Sequence, residues 1–114
     1  MSPQPSNERH DLLKGTLDIL VLKTLTAEPM HGYGIAQQIE RLSGSVLSAE
    51  QGSLYPALER LQKQGWVHSK WGISPTGRRA RYYTITRAGR KQLGQAISNF
   101  DQVMLAINQV LRRA

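Results

Sequence analysis

The chain has 114 residues and a formal charge of +7, with 15 Lys and Arg against 8 Asp and Glu. That length fits one domain with a modest core, and the basic excess points to nucleic acid or an anionic membrane surface rather than an acidic small molecule. The lack of Cys excludes disulfides, Cys-based zinc sites and thiol catalysis, and no apolar run reaches the ~18 residues needed to span a membrane.

Residues 1–11 are polar and include Pro3 and Pro5. They have no apolar segment of the kind a secretory signal carries, and they read as a disordered tail on a protein expected in the cytoplasm. Residues 16–27 are dense in Leu, Ile and Val. Leu17, Leu20, Val21 and Leu25 share a face, and Ile19 and Leu22 widen it, so the predicted helix is central to a core or an interface. Pro29 stops it. His31-Gly32-Tyr33-Gly34 opens a second helix with Ile35, Ala36, Ile39 and Leu42 at helical spacing, ending near Ser43-Gly44 with Gly44 as its cap.

A third helix is expected over residues 52–64. A proline beyond the first turn would cost about 3 kcal/mol, so a start at Gly52 or Ser53 places Pro56 where its missing N–H has no partner to lose. Leu54, Ala57, Leu58 and Leu61 cluster on one side. Gly52, Pro56, Glu59 and Lys63 lie opposite, flanked by Ser53, Tyr55 and Arg60, and Gly65 ends the helix. Residues 66–71 and 80–85 carry the β-favouring Val67, Tyr82, Tyr83, Thr84 and Ile85, and residues 72–77 are turn chemistry. They form an antiparallel hairpin with Arg78, Arg79 and Arg81 at its tip and descending limb, and with Trp66 and Trp71 assigned to core at its root. Thr86 caps a long last helix running to about Arg112. Leu93, Ile97, Phe100, Met104, Ile107 and Leu111 are spaced 4, 3, 4, 3, 4 along it, a heptad seam with Ala96, Val103 and Val110 beside it.

The charge follows this order. Residues 1–59 hold four bases (Arg9, Lys14, Lys23, Arg41) among seven acids; from 60 to 100 stand Arg60, Lys63, Lys70, Arg78, Arg79, Arg81, Arg87, Arg90 and Lys91 with no acid at all. Helix, helix, turn, helix, basic hairpin is the order of a winged helix-turn-helix. The expected class is mainly α with a small β-hairpin, an α+β fold. Residues 12–85 form the DNA-binding domain and residues 86–114 a C-terminal dimerisation helix. A helix fits the major groove of duplex DNA, where each base pair shows its own donor and acceptor pattern, and an arginine-rich wing beside it meets the phosphates. The candidate DNA-binding residues are Tyr33, Gln51, Ser53, Tyr55, Pro56, Arg60, Lys63, Arg78, Arg79 and Arg81. Ser53 and Tyr55 are the candidates for specificity, while Arg60 and Lys63 reach for backbone. Tyr33 reads equally as a phosphate contact or as part of a tight helix entry relaxed by Gly32 and Gly34.

A helix over residues 86–112 spans ~40 Å, more than so small a domain covers, so its excess is expected to meet a second copy. The candidate interface is Leu17, Leu20, Leu93, Ile97, Phe100, Met104, Ile107 and Leu111, with Phe100 and Met104 as the candidate effector pocket. His10, His31 and His68 lack metal-ligand spacing and acidic companions, and Asp11 and Asp18 have no clustered nucleophile or base, so no metal, cofactor or enzymatic activity is expected.

Four segments carry a family resemblance: Gly15-Thr16-Leu17-Asp18, His31-Gly32-Tyr33-Gly34-Ile35, Gly52-Ser53-Leu54-Tyr55-Pro56-Ala57-Leu58 and Tyr83-Thr84-Ile85-Thr86-Arg87-Ala88-Gly89. In this order and spacing, over about residues 12–95, the chain resembles the PadR family of bacterial transcriptional regulators, in the short form with a single C-terminal helix. The resemblance implies a homodimeric repressor on a pseudo-palindromic operator, released in some members by a small aromatic or amphipathic compound. Two other readings compete: a winged-helix module that uses its basic face on an acidic protein, and a membrane-surface binder. The latter needs bases beside an apolar face on one helix, and here the densest group of bases, Arg78, Arg79 and Arg81, lies on a hairpin.

Overall fold

The computed structural model describes residues 5–49 and 51–113, with side chains from Gly15 onward apart from residues 50–52. Its elements are α1 (Pro5–Leu25), β1 (Met30–His31), α2 (Gly32–Leu42), α3 (Gln51–Lys63), β2 (Val67–Ile73), β3 (Arg79–Ile85) and α4 (Arg87–Leu111). The strands make one antiparallel sheet in the order β1-β3-β2. No helix among the described residues is long and apolar enough to cross a membrane.

The α+β architecture is the expected one, with three differences of detail. First, α1 begins at Pro5, so residues 5–11 are helical rather than a disordered tail; residues 1–4 lie outside the described residues. Pro is tolerated at a first helical position. Once burial of Val21, Leu22 and Leu25 pins the far end, extending the helix outward needs no new nucleus. Second, β1 was not foreseen. It pairs Met30 with Tyr83 and His31 with Tyr82, and two residues are too few to show an alternation. Third, α3 starts at Gln51, which puts Pro56 at its sixth position rather than in its first turn. Pro56 therefore cannot donate to the Gly52 carbonyl, a local cost that the buried Leu54, Ala57, Leu58 and Leu61 of the same helix offset.

Helices α2 and α3 end alike. Gly44 (φ 62°) and Gly65 (φ 79°) take the left-handed conformation. Around them Gly44 N–H donates to Arg41 O and Ser45 N–H to Glu40 O, as Gly65 N–H does to Gln62 O and Trp66 N–H to Leu61 O. These paired bonds satisfy the last carbonyls of each helix. The core gathers Val21, Leu22 and Leu25 of α1, Ile35 and Ile39 of α2, the α3 leucines, Val67, Tyr83 and Ile85 of the sheet, and Leu93 of α4.

The hairpin turn closes with Ser74 N–H to Arg78 O at 2.7 Å and Gly77 N–H to Ser74 O at 2.8 Å, Gly77 lying at φ 84°. A three-residue loop ending in a left-handed Gly matches the twist of the strands it joins. Both strands outrun their predicted ends, and this moves Trp71. Paired with Arg81 across the ladder, it stands on the part of the hairpin that projects past the helices. Its side chain is 57% exposed, not core; Trp66 alone of the two packs against the core.

Helix α4 leaves the domain at a tight joint. The Trp66 carbonyl accepts from Thr86 N–H at 2.9 Å, and Thr86 Oγ1 donates to Gly65 O at 2.7 Å while accepting from Gly89 N–H at 3.0 Å. A Cβ added at Gly89 would collide with the Trp66 carbonyl oxygen and with Ile85 Cγ1. Leu93 is 5% exposed within its own chain, which removes it from the predicted dimer interface. From Ser98 to Arg113 every residue is exposed. Gly89→Ala is expected to cost about 3 kcal/mol, because the obstacle is backbone that cannot repack. Gly94→Ala, where a new Cβ meets nothing within 4 Å, should instead gain up to ~1 kcal/mol of helix propensity. Urea unfolding of the two variants checks the pair, and equal midpoints would show that the joint is not tight.

Candidate nucleic-acid interface

The outer side of α3 is built from its own amphipathicity. With Leu54, Ala57, Leu58 and Leu61 turned inward, Ser53, Tyr55, Pro56, Glu59 and Lys63 are left exposed. The side chain of Gln51 lies outside the described residues. Tyr55 remains 45% exposed, but one side of its ring is used: it lies over Gly32 so closely that a Cβ there would stand 2.8 Å from its hydroxyl and 3.0 Å from its ring carbons. The first glycine of the His31-Gly32-Tyr33-Gly34 segment thus does more than relax a backbone. Its missing side chain seats the aromatic ring of the next helix.

That segment carries a second device. His31 caps α2, its Nδ1 accepting from Gly34 N–H at 3.0 Å, which assigns the proton of the neutral ring to Nε2. The imidazole lies 5.4 Å edge-on from Tyr82 and 6.5 Å in a stack with Tyr33. Tyr82 in turn crosses Gly72 and donates from its hydroxyl to Ile73 O at 3.1 Å. Tyr33 is exposed at the outer end of this ladder.

Arg60 departs from expectation. Its Nη2 donates to Asp18 Oδ1 at 2.7 Å, with both side chains largely covered. The guanidinium joins α3 to α1, and Asp18 gains a partner that sequence distance concealed. Lys63, in the last turn of α3, is exposed.

The wing supplies the cations. Arg78, Arg79 and Arg81 are exposed, and Arg79 and Arg81 place their guanidinium carbons 4.7 and 5.5 Å from the centre of the Trp71 ring. Arg81 and Trp71 share a face of the hairpin with Tyr83, two residues toward the root. Burial pushes the Tyr83 phenol above its ordinary pKa, while Arg81 pulls it down and Tyr55 and Glu59 of α3 add to the rise. Tyr83 packs in the core cluster with Leu54, Leu58 and Leu61, so the strand face that bears Arg81 continues inward to the buried side of α3. Trp71 and the Asp18–Arg60 pair were missed from sequence. The hairpin register alone, with Trp71 opposite Arg81, would have revealed the first.

Between α1 and α4 runs an open groove of about 590 Å³, lined by residues that include Ile19, Leu22, Trp66, Ala96, Phe100 and Val103. Phe100 of the predicted effector pair lines it; Met104 lies further along α4 and is exposed. Leu17, Leu20 and Ile97 are half-buried against the core, while Phe100, Met104, Ile107 and Leu111 lie open on the projecting part of α4.

Fold and surface together define a winged helix-turn-helix of the DNA-binding kind. The profile of the Transcriptional regulator PadR-like family matches residues 21–95, and the chain belongs to that family, which is one of transcriptional regulators and not of enzymes. An uncharacterized protein X of Lysinibacillus sphaericus is 26% identical over 95 residues, covering 83% of this chain and 87% of its own. The negative transcriptional regulator PadR of Bacillus subtilis (strain 168) is 27% identical over 77 residues, 68% of this chain but 42% of that longer protein. Among solved structures, a transcriptional regulator from Clostridium thermocellum superimposes with a TM-score of 0.79 at 28% identity, covering 87% of this chain and 96% of its own. A PadR-like transcriptional regulator from Bacillus cereus strain ATCC 14579 gives 0.74 at 27% identity, covering 91% and 99%.

Replacing Arg60 by Ala is expected to lower fold stability by about 1 kcal/mol, the range of a partly exposed ion pair, and to leave the salt dependence of duplex binding unchanged. A slope reduced by about one unit would instead put Arg60 back among the phosphate contacts.

Proposed function

We propose that the protein is a homodimeric transcriptional repressor. Each subunit lays the exposed side of α3 in the major groove of a pseudo-palindromic operator and its arginine wing along the flanking backbone. The single observation that carries this reading is that the exposed side of α3 and the exposed arginines of the wing stand on elements joined through one core, where Tyr83 packs in the same cluster as Leu54 and Leu58. A helix face that offers Ser53 and Tyr55 to base edges, with Glu59 and Lys63 further along it, stands beside a wing whose exposed arginines suit DNA phosphate. Phosphate contacts position a protein and base contacts specify its site, and this chain keeps the two chemistries on adjacent elements. Two such helices related by a dimer axis should sit about one helical turn, ~34 Å, apart on the DNA. A protein partner of acidic character would also suit the wing, but it gives no role to Ser53 and Tyr55 on the groove-sized helix beside it.

The dimer rests on the apolar face of α4 beyond Ile97. Phe100, Met104, Ile107 and Leu111 recur at heptad spacing with no covering element among the described residues, and a second copy of the same seam covers them in register. The groove holding Phe100 lies between that seam and the domain, a suitable seat for a small aromatic effector. The compartment that fits such a regulator is the cytoplasm.

Selection of bound fragments from random and host-genome duplexes, followed by fluorescence-anisotropy titration over a range of salt, tests the reading. Arg78→Ala should weaken all duplexes alike and reduce the salt slope by about one unit, whereas Ser53→Ala and Tyr55→Ala should damage the selected site by roughly 1–3 kcal/mol and random DNA far less. Enrichment of no duplex would end the regulator assignment. Sedimentation should find a dimer that Ile107→Asp converts to monomer; a monomeric wild-type chain at working concentration would remove the two-site operator.

A further inference from the structure

Trp71 has no structural duty that its position explains. It lies on the outer half of the wing, 57% exposed, on the face shared with Ile73, Arg79 and Arg81. Nearer the root, the same face buries Val67, Tyr83 and Ile85. An exposed indole at this place costs solubility and adds nothing to the core. What it touches are the two guanidinium groups, at 4.7 and 5.5 Å from its ring centre.

A guanidinium stacked on an indole sheds part of its hydration and loses rotamer freedom before any partner arrives. Both losses are otherwise taken from binding free energy. The result is a pair of pre-aimed cations backed by a flat apolar plate, with Ile73 beside it. A flat phosphate row gains nothing from the plate. A narrow groove does, because its walls are deoxyribose carbons and its floor carries the concentrated negative potential of A·T-rich duplex. The run from 60 to 100 holds no acid to oppose entry.

We propose that Trp71 is a positioning and contact residue of the wing, holding Arg79 and Arg81 for insertion into the minor groove of A·T-rich DNA beside the α3 site. The inference rests on the DNA-binding reading and deepens it by assigning the wing a sequence preference that its charges alone cannot give. Arg78, which has no place on the indole, remains a backbone contact.

The test uses the full chain and short alternating A·T and G·C duplexes at low salt, with anisotropy reporting binding. The chain has two tryptophans, Trp66 and Trp71, so Trp66→Phe leaves Trp71 as the only reporter for acrylamide quenching. The A·T duplex should bind roughly tenfold tighter than the G·C duplex, in the range of a desolvated cation–π contact, and should shield Trp71 from acrylamide. Trp71→Ala should abolish the preference and flatten the salt slope although no charge has been removed, and Trp71→Phe should retain part of both. The proposal is overturned if bound duplex leaves Trp71 as quenchable as in the free protein, or if Trp71→Ala keeps preference and slope. If neither duplex changes the anisotropy, the DNA-binding reading itself fails. Should Trp66→Phe not fold by circular dichroism, the Trp71→Ala comparison, made at an exposed side chain, decides alone.

Discussion

The Trp66 carbonyl is the constraint on which the arrangement depends. It stands at the start of the wing, accepts the Thr86 N–H at the wing's end, and closes against Gly89 in the first turn of α4. Three elements therefore meet at one backbone oxygen. Thr86 reinforces the joint twice, donating to the Gly65 carbonyl behind it and capping the Gly89 N–H ahead of it. With no Cβ at Gly89 the approach is as close as two backbones allow. The direction in which α4 leaves the domain is thus set by main-chain geometry, not by the packing of adjustable side chains. If α4 forms the dimer, the spacing of the two DNA-reading helices is inherited from this joint.

The outer side of α3 has its own bracing, made of small numbers of strong local contacts. Arg60 ties α3 to Asp18 of α1 through a 2.7 Å charge-assisted bond. Tyr55 leans on Gly32 at the head of α2, and His31 couples that same head to the wing through Tyr82. Helix α3 is held from both sides while its outer face stays free. That combination suits a reader of base edges, for which an error of orientation is costlier than a loss of flexibility.

Much of this was legible in the sequence because it follows from periodicity and punctuation. The three core helices, both hairpin strands, the Thr86 cap and the left-handed Gly44 and Gly65 all appear where spacing and residue type put them. The failures have physical causes. Strand β1 is too short to carry a pattern, and its existence depends on a partner, β3, fifty residues away in sequence. The helical state of residues 5–11 is borrowed from a buried neighbour, which composition does not weigh. Arg60 and Asp18 are separated by 42 positions, so a wheel projection showed Arg60 at the rim of an exposed face and could not show the carboxylate waiting there. Trp71 was misplaced because aromatic residues in strands are usually core. Only the extended register reveals that it lies past the end of the body.

These details redistribute the work of the nine bases between residues 60 and 100. Arg60 is tied to Asp18. Arg79 and Arg81 are held on an indole, which makes them a shaped surface and not a diffuse field. A diffuse field binds any duplex, with affinity that decays with salt and carries no sequence information. On the proposed reading, shaped cations act only where the groove admits them, and Ser53 and Tyr55 of α3 act only where the base edges match. In the proposed dimer both requirements must be met twice, at a distance fixed by α4. The groove between α1 and α4 adjoins Trp66, the same residue whose carbonyl sets that distance. An effector lodged there would touch α1, the wing root and α4 together. Its leverage on DNA would come from differential binding to two angles of α4, with no need to reach the recognition helix at all.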